Sequence, residues 1–186
     1  MLLRLTHLPL WDVSPYLENF VKEVLRLRGP VGFTIRETMR DDVIPLCRPC
    51  TEKKGRVQYS VVAKGQTIYV PILGVHCDTE LWGADAGEFR PERWDALPQN
   101  VNDIPGVYSN LLAFLGGPHN CIGAKFSLAE MKALLFTLVR AFELEMAVPN
   151  DDVERTTSPV GKPFVRSEKE KGTQMPLLLK SCSLGP

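Results

Sequence analysis

Cys121 stands in the segment Phe114-Leu-Gly-Gly-Pro-His-Asn-Cys121-Ile-Gly123. A cysteine that ligates a metal must be held deprotonated, kept from bulk water and given hydrogen bonds that tune its donor strength. Gly116, Gly117 and Gly123 allow the chain to turn tightly around the sulfur and to approach a flat ligand closely. The residues that follow have helical spacing, so unpaired N–H groups and the positive end of the helix dipole favour an anionic sulfur there. Phe114 offers an apolar cover for one side. By itself, the loop reads more simply as a buried free cysteine in a glycine-rich turn.

Three further groups carry chemical potential. Glu23 and Arg26 are three residues apart on an apolar-striped helical segment, a spacing that pairs a carboxylate with a guanidinium. Alone, such a pair is an ordinary surface contact worth a few tenths of a kcal/mol. Cys47-Arg-Pro-Cys50 is a C-x-x-C pair, with His76-Cys77 further on. A zinc site would need a second such pair, and adjacent residues on a strand diverge. A redox pair would need to open a helix after a strand. Here the pair precedes Thr-Glu-Lys-Lys-Gly, read as a loop, and the two cysteines are read as coincidental. The run Glu168-Lys-Glu-Lys171 is read as a solvated turn.

These residues lie in a chain of 186, enough for one domain or part of a larger one. Apolar residues are 44% and charged residues 24%, an ordinary globular balance. Lys plus Arg and Asp plus Glu both number 22, so no excess charge recruits nucleic acid or an anionic membrane. No apolar run reaches the ~18–20 residues of a membrane helix. The N-terminal MLLRLTHLPLW carries Arg4 and His7 and is not read as a signal peptide. Five cysteines, an odd number, argue against a disulfide framework and for a reducing, cytosol-facing compartment.

The elements that must position the candidates follow from periodicity. Leu17, Phe20, Val21, Val24 and Leu25 predict a helix over 15–28, stopped by Gly29-Pro30. Residues 57–73 predict a hairpin turning at Lys64-Gly65. Residues 83–113 are rich in Gly, Pro, Asp and Asn with little periodicity. They lie within a long loop over 83–123 that ends at the cysteine, and loops of such length tend to be functional or disordered. Leu128, Met131, Leu135, Leu138 and Phe142 predict the strongest helix, over 122–142. Residues 143–186 read as short strands, 143–148 and 175–180, joined by a polar stretch.

Phe-x-x-Gly-x-[basic]-x-Cys-x-Gly resembles the haem loop of the cytochrome P450 family, and the following AKFSLAEMKALL resembles the helix after it. KEVLRLRGP resembles that family's Glu-x-x-Arg helix, and Phe89-Arg-Pro-Glu-Arg93-Trp94 its later arginine-bearing loop. GVHCDTELWGADAGEFRPERW resembles the stretch leading to that arginine, with Cys77 where arginine or another polar residue is usual. Three motifs in the family's order imply the fold class: α+β with much irregular structure, the C-terminal, proximal-haem part of a mainly helical fold. The chain is read as a single partial domain over 1–186.

The resemblance also implies roles. Cys121 is the axial ligand of the iron of haem b (iron protoporphyrin IX), with Phe114, Gly123 and His119 as cofactor-binding neighbours. His119 stands where arginine is most frequent and would offer a propionate one hydrogen bond instead of a charged fork. Glu23, Arg26 and Arg93 form a buried structural triad. Val31-Gly-Phe-Thr-Ile-Arg36 resembles the segment crossing the haem edge. It makes Arg36 a second propionate candidate and Val31, Phe33 and Thr34 candidates to face substrate, the equal alternative being that the segment is an ordinary strand lead-in. The implied activity is that of a monooxygenase, served by an NADPH-dependent reductase and acting on a small hydrophobic substrate. No catalytic residue of the distal side is recognised, since no [Ala/Gly]-Gly-x-[Asp/Glu]-Thr motif occurs. Family members are more than twice as long and often anchored in the endoplasmic reticulum membrane. The alternative expectation is therefore a truncated, non-catalytic chain, and LWDVS (10–14) reads as an insertion within it.

Overall fold

The computed structural model describes residues 10–52, 55–156 and 158–182, and the side chains of these except 10–14, 47–52 and 55–58. The described residues divide into two compact units, 33–71 and the remainder. Among the described residues the architecture is mixed: two long helices, two short ones, and four antiparallel strand pairs separated by irregular chain.

In the larger unit, helix α1 (Leu10–Arg28) buries Val21 and Leu25. The helix expected to begin at Pro15 instead starts five residues earlier and includes the insertion-like segment 10–14. Pro15 is the sixth helical residue and lies inside α1, so the extra turn is present although Pro15 has no N–H for the Trp11 carbonyl. At its other end, a Cβ on Gly29 would sit 2.7 Å from the Leu25 carbonyl oxygen, so glycine is needed where the helix stops.

Short helices α2 (Ile72–His76) and α3 (Thr79–Trp82) follow the smaller unit in sequence. Asp78 caps α3 by accepting the Glu80 N–H at 2.8 Å. The segment expected as one long loop, 83–123, contains four 3₁₀ turns at Pro91–Asp95, Gln99–Asp103, Leu112–Phe114 and Gly117–His119. It is anchored by Ala86, Val101, Ile104, Leu111 and Phe114, which form one core with Val21, Leu25 and Trp82. Helix α4 (Ala124–Ala141) packs Leu128, Met131 and Leu135 against that core. It presents Phe126, Leu134 and Leu138 outward.

After α4, β5 (Phe142–Met146) pairs with the last strand, Leu177–Ser181, in the register Leu144↔Leu179. Between them β6 (Val153–Arg155) pairs with Pro163–Val165.

The smaller unit corrects the hairpin expected over 57–73. Strand β1 (Thr34–Glu37) pairs with β4 (Thr67–Val70), and β2 (Asp42–Glu52) pairs with β3 (Gly55–Val62). Lys64-Gly65 does make a turn, with Gly65 at φ 81°, but β3 and β4 on its two sides do not pair with each other. Thr38 occupies its edge: the Thr38 N–H donates to the Gln66 carbonyl at 3.0 Å and the Gly65 N–H to the Thr38 carbonyl at 2.8 Å. Glu52 stands opposite Gly55 in the β2–β3 pairing, in the segment read as a loop. Cys47 and Cys50 therefore lie on strand β2, with a register shift between Pro45 and Cys50. Their side chains lie outside the described residues.

Candidate functional site

The cysteine loop is built from backbone hydrogen bonds. The Cys121 N–H donates to the Phe114 carbonyl at 2.9 Å, closing the loop on itself, and so is not available to the cysteine's own sulfur. The Cys121 carbonyl accepts from Ala124 at 3.3 Å, and the Gly123 carbonyl accepts from Ser127 at 2.8 Å, which leads into α4. Close approach explains Gly116, and a positive φ explains Gly117. A Cβ at Gly116 would lie 1.7 Å from the Pro105 carbonyl oxygen, and Gly117 has φ 72°. A Cβ on Gly123 would sit 3.9 Å from the Cys121 Sγ, ordinary van der Waals contact, so space alone does not require glycine there.

Phe114 is buried in the core, with its ring against Tyr108 at 6.3 Å between centroids. Cys121 is a free, exposed thiol. Next to it in sequence Ile122 is fully exposed, and Phe126 is 71% exposed. His119 ends the 3₁₀ turn two residues before the cysteine and is exposed. Exposure leaves the Cys121 sulfur open to a ligand. A glycine-tight backbone with apolar side chains turned outward fits a flat metal-bearing macrocycle that would itself keep water from the sulfur. Among the described residues no group of three or more His, Cys, Asp or Glu could hold a metal ion through protein side chains alone.

Glu23 accepts five hydrogen bonds on its two carboxylate oxygens. Its Oε1 accepts from Arg26 Nη2 (2.8 Å), Arg93 Nε (2.9 Å) and the Arg90 N–H (3.0 Å). Its Oε2 accepts from Arg26 Nε (2.9 Å) and the Trp94 indole N–H (3.1 Å). Glu23 and Arg26 are fully buried and Arg93 nearly so. Burial would raise the carboxyl's pKa. The hydrogen bonds from Arg26, Arg90 and Arg93 outweigh it and hold the group below the ordinary carboxylate range.

The two guanidiniums spend their other donors on the loop. Arg26 Nη1 donates to the carbonyls of His76 (2.7 Å) and Ala86 (2.6 Å), and its Nη2 also donates to that of Glu88 (3.1 Å). Arg93 donates to the Asp85 carbonyl at 2.9 Å and meets the Asp85 carboxylate at 3.3 Å. The Arg26 guanidinium also lies over the Trp82 ring, 5.0 Å from its centroid.

Two links were not foreseen from the sequence. His76, fully buried, places Nδ1 3.1 Å from the Arg26 carbonyl and accepts the Leu112 N–H at Nε2, 2.9 Å away. Burial, and the positive charge of Arg26, lower its pKa to about 4. Glu18 on α1 accepts from the Tyr108 hydroxyl at 2.6 Å and pairs with Lys132 on α4, joining both helices to the loop. Burial and the Glu18 bond push the Tyr108 hydroxyl pKa upward.

The remaining candidates lie apart from these groups in sequence. Val31 makes an isolated antiparallel bridge to Val160. Phe33, Thr34 and Arg36 belong to the smaller unit. Phe33 stacks on Tyr69 at 4.9 Å, and Arg36 Nη1 donates to Thr34 Oγ1 (2.7 Å) and the Ile35 carbonyl (2.8 Å). Cys77 is an exposed free thiol, whereas His76 points both ring nitrogens at backbone, so the two do not form a metal pair.

Comparison with known proteins gives a consistent result. Residues 12–173 match the family model described as Cytochrome P450. Cytochrome P450 monooxygenase 128 of Postia placenta is 56% identical over 170 residues, covering 91% of this chain and 31% of that protein. Cytochrome P450 monooxygenase claO of Ampulloclitocybe clavipes is 40% identical over 182 residues, covering 92% of this chain and 33% of its own length. Among solved structures, retinoic acid bound cyanobacterial CYP120A1 superposes with a TM-score of 0.65 at 26% identity, covering 92% of this chain and 34% of that one. The chain thus spans about a third of the length of the curated relatives it matches.

Two outcomes are expected from this geometry. Glu23→Ala leaves two buried guanidiniums uncompensated and should cost ~3–5 kcal/mol in denaturant unfolding; an unchanged midpoint would show that the cluster contributes no such stability. The second concerns acid. His76 is harder to protonate folded (pKa about 4) than unfolded (6.5), so its contribution is complete above about pH 6.5 and is lost as pH falls toward 4. The loss should reach ~3 kcal/mol, at about 1.4 kcal/mol per pKa unit. His76→Phe should flatten the stability–pH curve in that window, and a curve of unchanged slope would contradict the assignment.

Proposed function

The chain belongs to the cytochrome P450 family, and on that premise we propose that Cys121 is the axial thiolate ligand of haem b iron in a monooxygenase. The observation that carries the reading is the exposed Cys121 thiol, free of disulfide and held by a loop whose Phe114 end is fixed in the core. When bound, the haem would supply the iron centre at which oxygen is activated, with thiolate donation favouring O–O cleavage. The reaction class is insertion of one oxygen atom into a substrate bond, the other leaving as water, with electrons from an NADPH-dependent reductase.

The chain's own residues have distinct parts in this proposal. Cys121 donates to iron, and Gly116 and Gly117 keep the backbone compact beside it. Phe114 shields the loop from within, and Gly123 leads into α4 beneath the cofactor. His119, exposed and two residues from the sulfur, and Arg36 are assigned to the propionates. Arg36 spends Nη1 within its own strand, and among the described residues its other donors are not engaged. Val31, Phe33 and Thr34 are assigned to the substrate side, and a small hydrophobic molecule suits Val31 and Phe33. Glu23, Arg26 and Arg93 act structurally, by holding the loop that ends at Cys121. Among the described residues no helix is long and apolar enough to cross a membrane. A cytosol-facing location, with any anchor outside these residues, is part of the proposal.

A second reading is favoured by one observation: Ile122, Phe126, Leu134 and Leu138 leave an apolar stripe of α4 and its approach exposed. On that reading these 186 residues alone bind haem weakly and do not turn over. They contain no recognised acid–alcohol pair for proton delivery, and an open haem lets water reach reactive oxygen species.

The experiment is the spectrum of the reduced carbon-monoxide complex. The red-shifted Soret band of thiolate ligation should appear in the haem-loaded protein and vanish in Cys121→Ser. It should persist in Cys47→Ser, Cys50→Ser and Cys77→Ser. A band retained in Cys121→Ser would overturn the ligand assignment. Substrate-dependent NADPH oxidation by the 186 residues alone, lost in Cys121→Ala, would overturn the inactive reading.

A further inference from the structure

We propose that His76 is the positioning residue of the cysteine loop: a neutral imidazole that ties the end of α1 to the turn carrying Phe114. This rests on the reading of Cys121 as the ligand. The partners fix the tautomer. A carbonyl can only accept and a backbone N–H can only donate, so Nδ1 carries the proton toward Arg26 and Nε2 offers its lone pair to Leu112. The same arginine grips the backbone of His76, since Arg26 Nη1 donates to the His76 carbonyl at 2.7 Å. Ring and main chain of one residue are thus both anchored to Arg26, whose guanidinium is itself held by Glu23.

From the ring the connection runs to the sulfur in two short steps. Leu112 opens the 3₁₀ turn Leu112–Phe114, and its N–H is one of those that a helix start leaves without an internal partner. His76 satisfies it. The turn then closes through the Leu115 N–H to the Leu112 carbonyl at 2.9 Å, and the Phe114 carbonyl accepts the Cys121 N–H at 2.9 Å. Leu115 has φ 60° and ψ −165°, a region a side chain with a Cβ occupies only where its surroundings over-determine it. The His76 bond at Leu112 on one side, and the Val107 N–H on the Leu115 carbonyl at 3.1 Å on the other, provide that constraint.

An apolar residue would fill the same volume. It would also leave the Arg26 carbonyl and the Leu112 N–H unpaired in the core. Because the ring's bonds go to backbone rather than to a ligand or to solvent, its effect on Cys121 is positional.

The test compares the haem-loaded protein with His76→Phe, which fills the space without hydrogen bonds, and His76→Gln, which keeps a donor and an acceptor. Far-UV circular dichroism establishes folding, the reduced carbon-monoxide spectrum reports thiolate ligation, and hydrogen exchange reports the Leu112 amide. A folded His76→Phe should lose most of the thiolate-type complex, and Leu112 should exchange about tenfold faster, as loss of one ordinary hydrogen bond implies. His76→Gln should recover most of the thiolate complex. A folded His76→Phe with an undiminished thiolate band and a protected Leu112 amide overturns the proposal.

Should His76→Phe fail to fold, the wild-type protein decides. Nitrogen-15 resonances of the ring must show the Nδ1–H tautomer, and Leu112 must be as protected as core amides; an Nε2–H ring or rapid exchange at Leu112 overturns it. A wild-type protein with no thiolate band refutes the Cys121 reading instead, while ring tautomer and Leu112 exchange still test the His76 link.

Discussion

One buried carboxylate sets the terms for the larger unit. Glu23 lies where water cannot reach it, and a lone charge there would cost far more than its helix could return. It is tolerated because two guanidiniums, an indole N–H and a backbone N–H converge on its two oxygens. Three of those five donors, from Arg90, Arg93 and Trp94, come from a segment about seventy residues further along the chain. That segment cannot leave without stranding charge. A buried pair often only breaks even against apolar residues of the same size. Its consequence here is a fixed path for the irregular chain between α3 and α4.

That path is what a loop ligand requires. A thiol at the end of a free loop would sample many positions, whereas this loop is tethered along its length. Arg26 and Arg93 hold carbonyls at Ala86, Asp85 and Glu88, Glu18 holds Tyr108, His76 holds Leu112, and Phe114 holds the Cys121 amide. Apolar anchors at Val101, Ile104 and Leu111 sit between those tethers. The helix that begins just after Cys121 is joined to α1 through Lys132 and Glu18. Both long helices and the loop therefore meet around the stretch that carries the sulfur.

How much of this is legible in the sequence depends on range. The cysteine loop is local: glycines, phenylalanine and cysteine lie within ten residues, and their spacing carries the meaning. The carboxylate cluster is long-range, yet each half has a recognisable pattern, so Glu23, Arg26 and Arg93 could be named together. Trp94 was visible only as an aromatic, because nothing in its spacing says where an indole N–H will point. The backbone role of His76 is not legible in the sequence, since a histidine in an apolar segment looks alike whether it binds metal or backbone. A histidine one turn from a capped helix, inside ILGVH, carries only a weak hint of a two-sided buried bond. Strand partners failed for a different reason. The turn at Lys64-Gly65 is real, but β3 pairs with β2 and β4 with β1, with Thr38 at the edge of the turn, and local turn chemistry does not encode that choice.

The most direct test of the account is native-state hydrogen exchange at two amides, Arg90 and Cys121, followed through low concentrations of denaturant. One amide donates to the buried carboxylate and the other closes the cysteine loop. If the ion cluster holds the loop, both should exchange through one cooperative opening, with the same free energy and the same denaturant dependence. If Cys121 instead exchanges through a small, denaturant-independent fluctuation while Arg90 waits for unfolding, the loop is held by something other than the cluster.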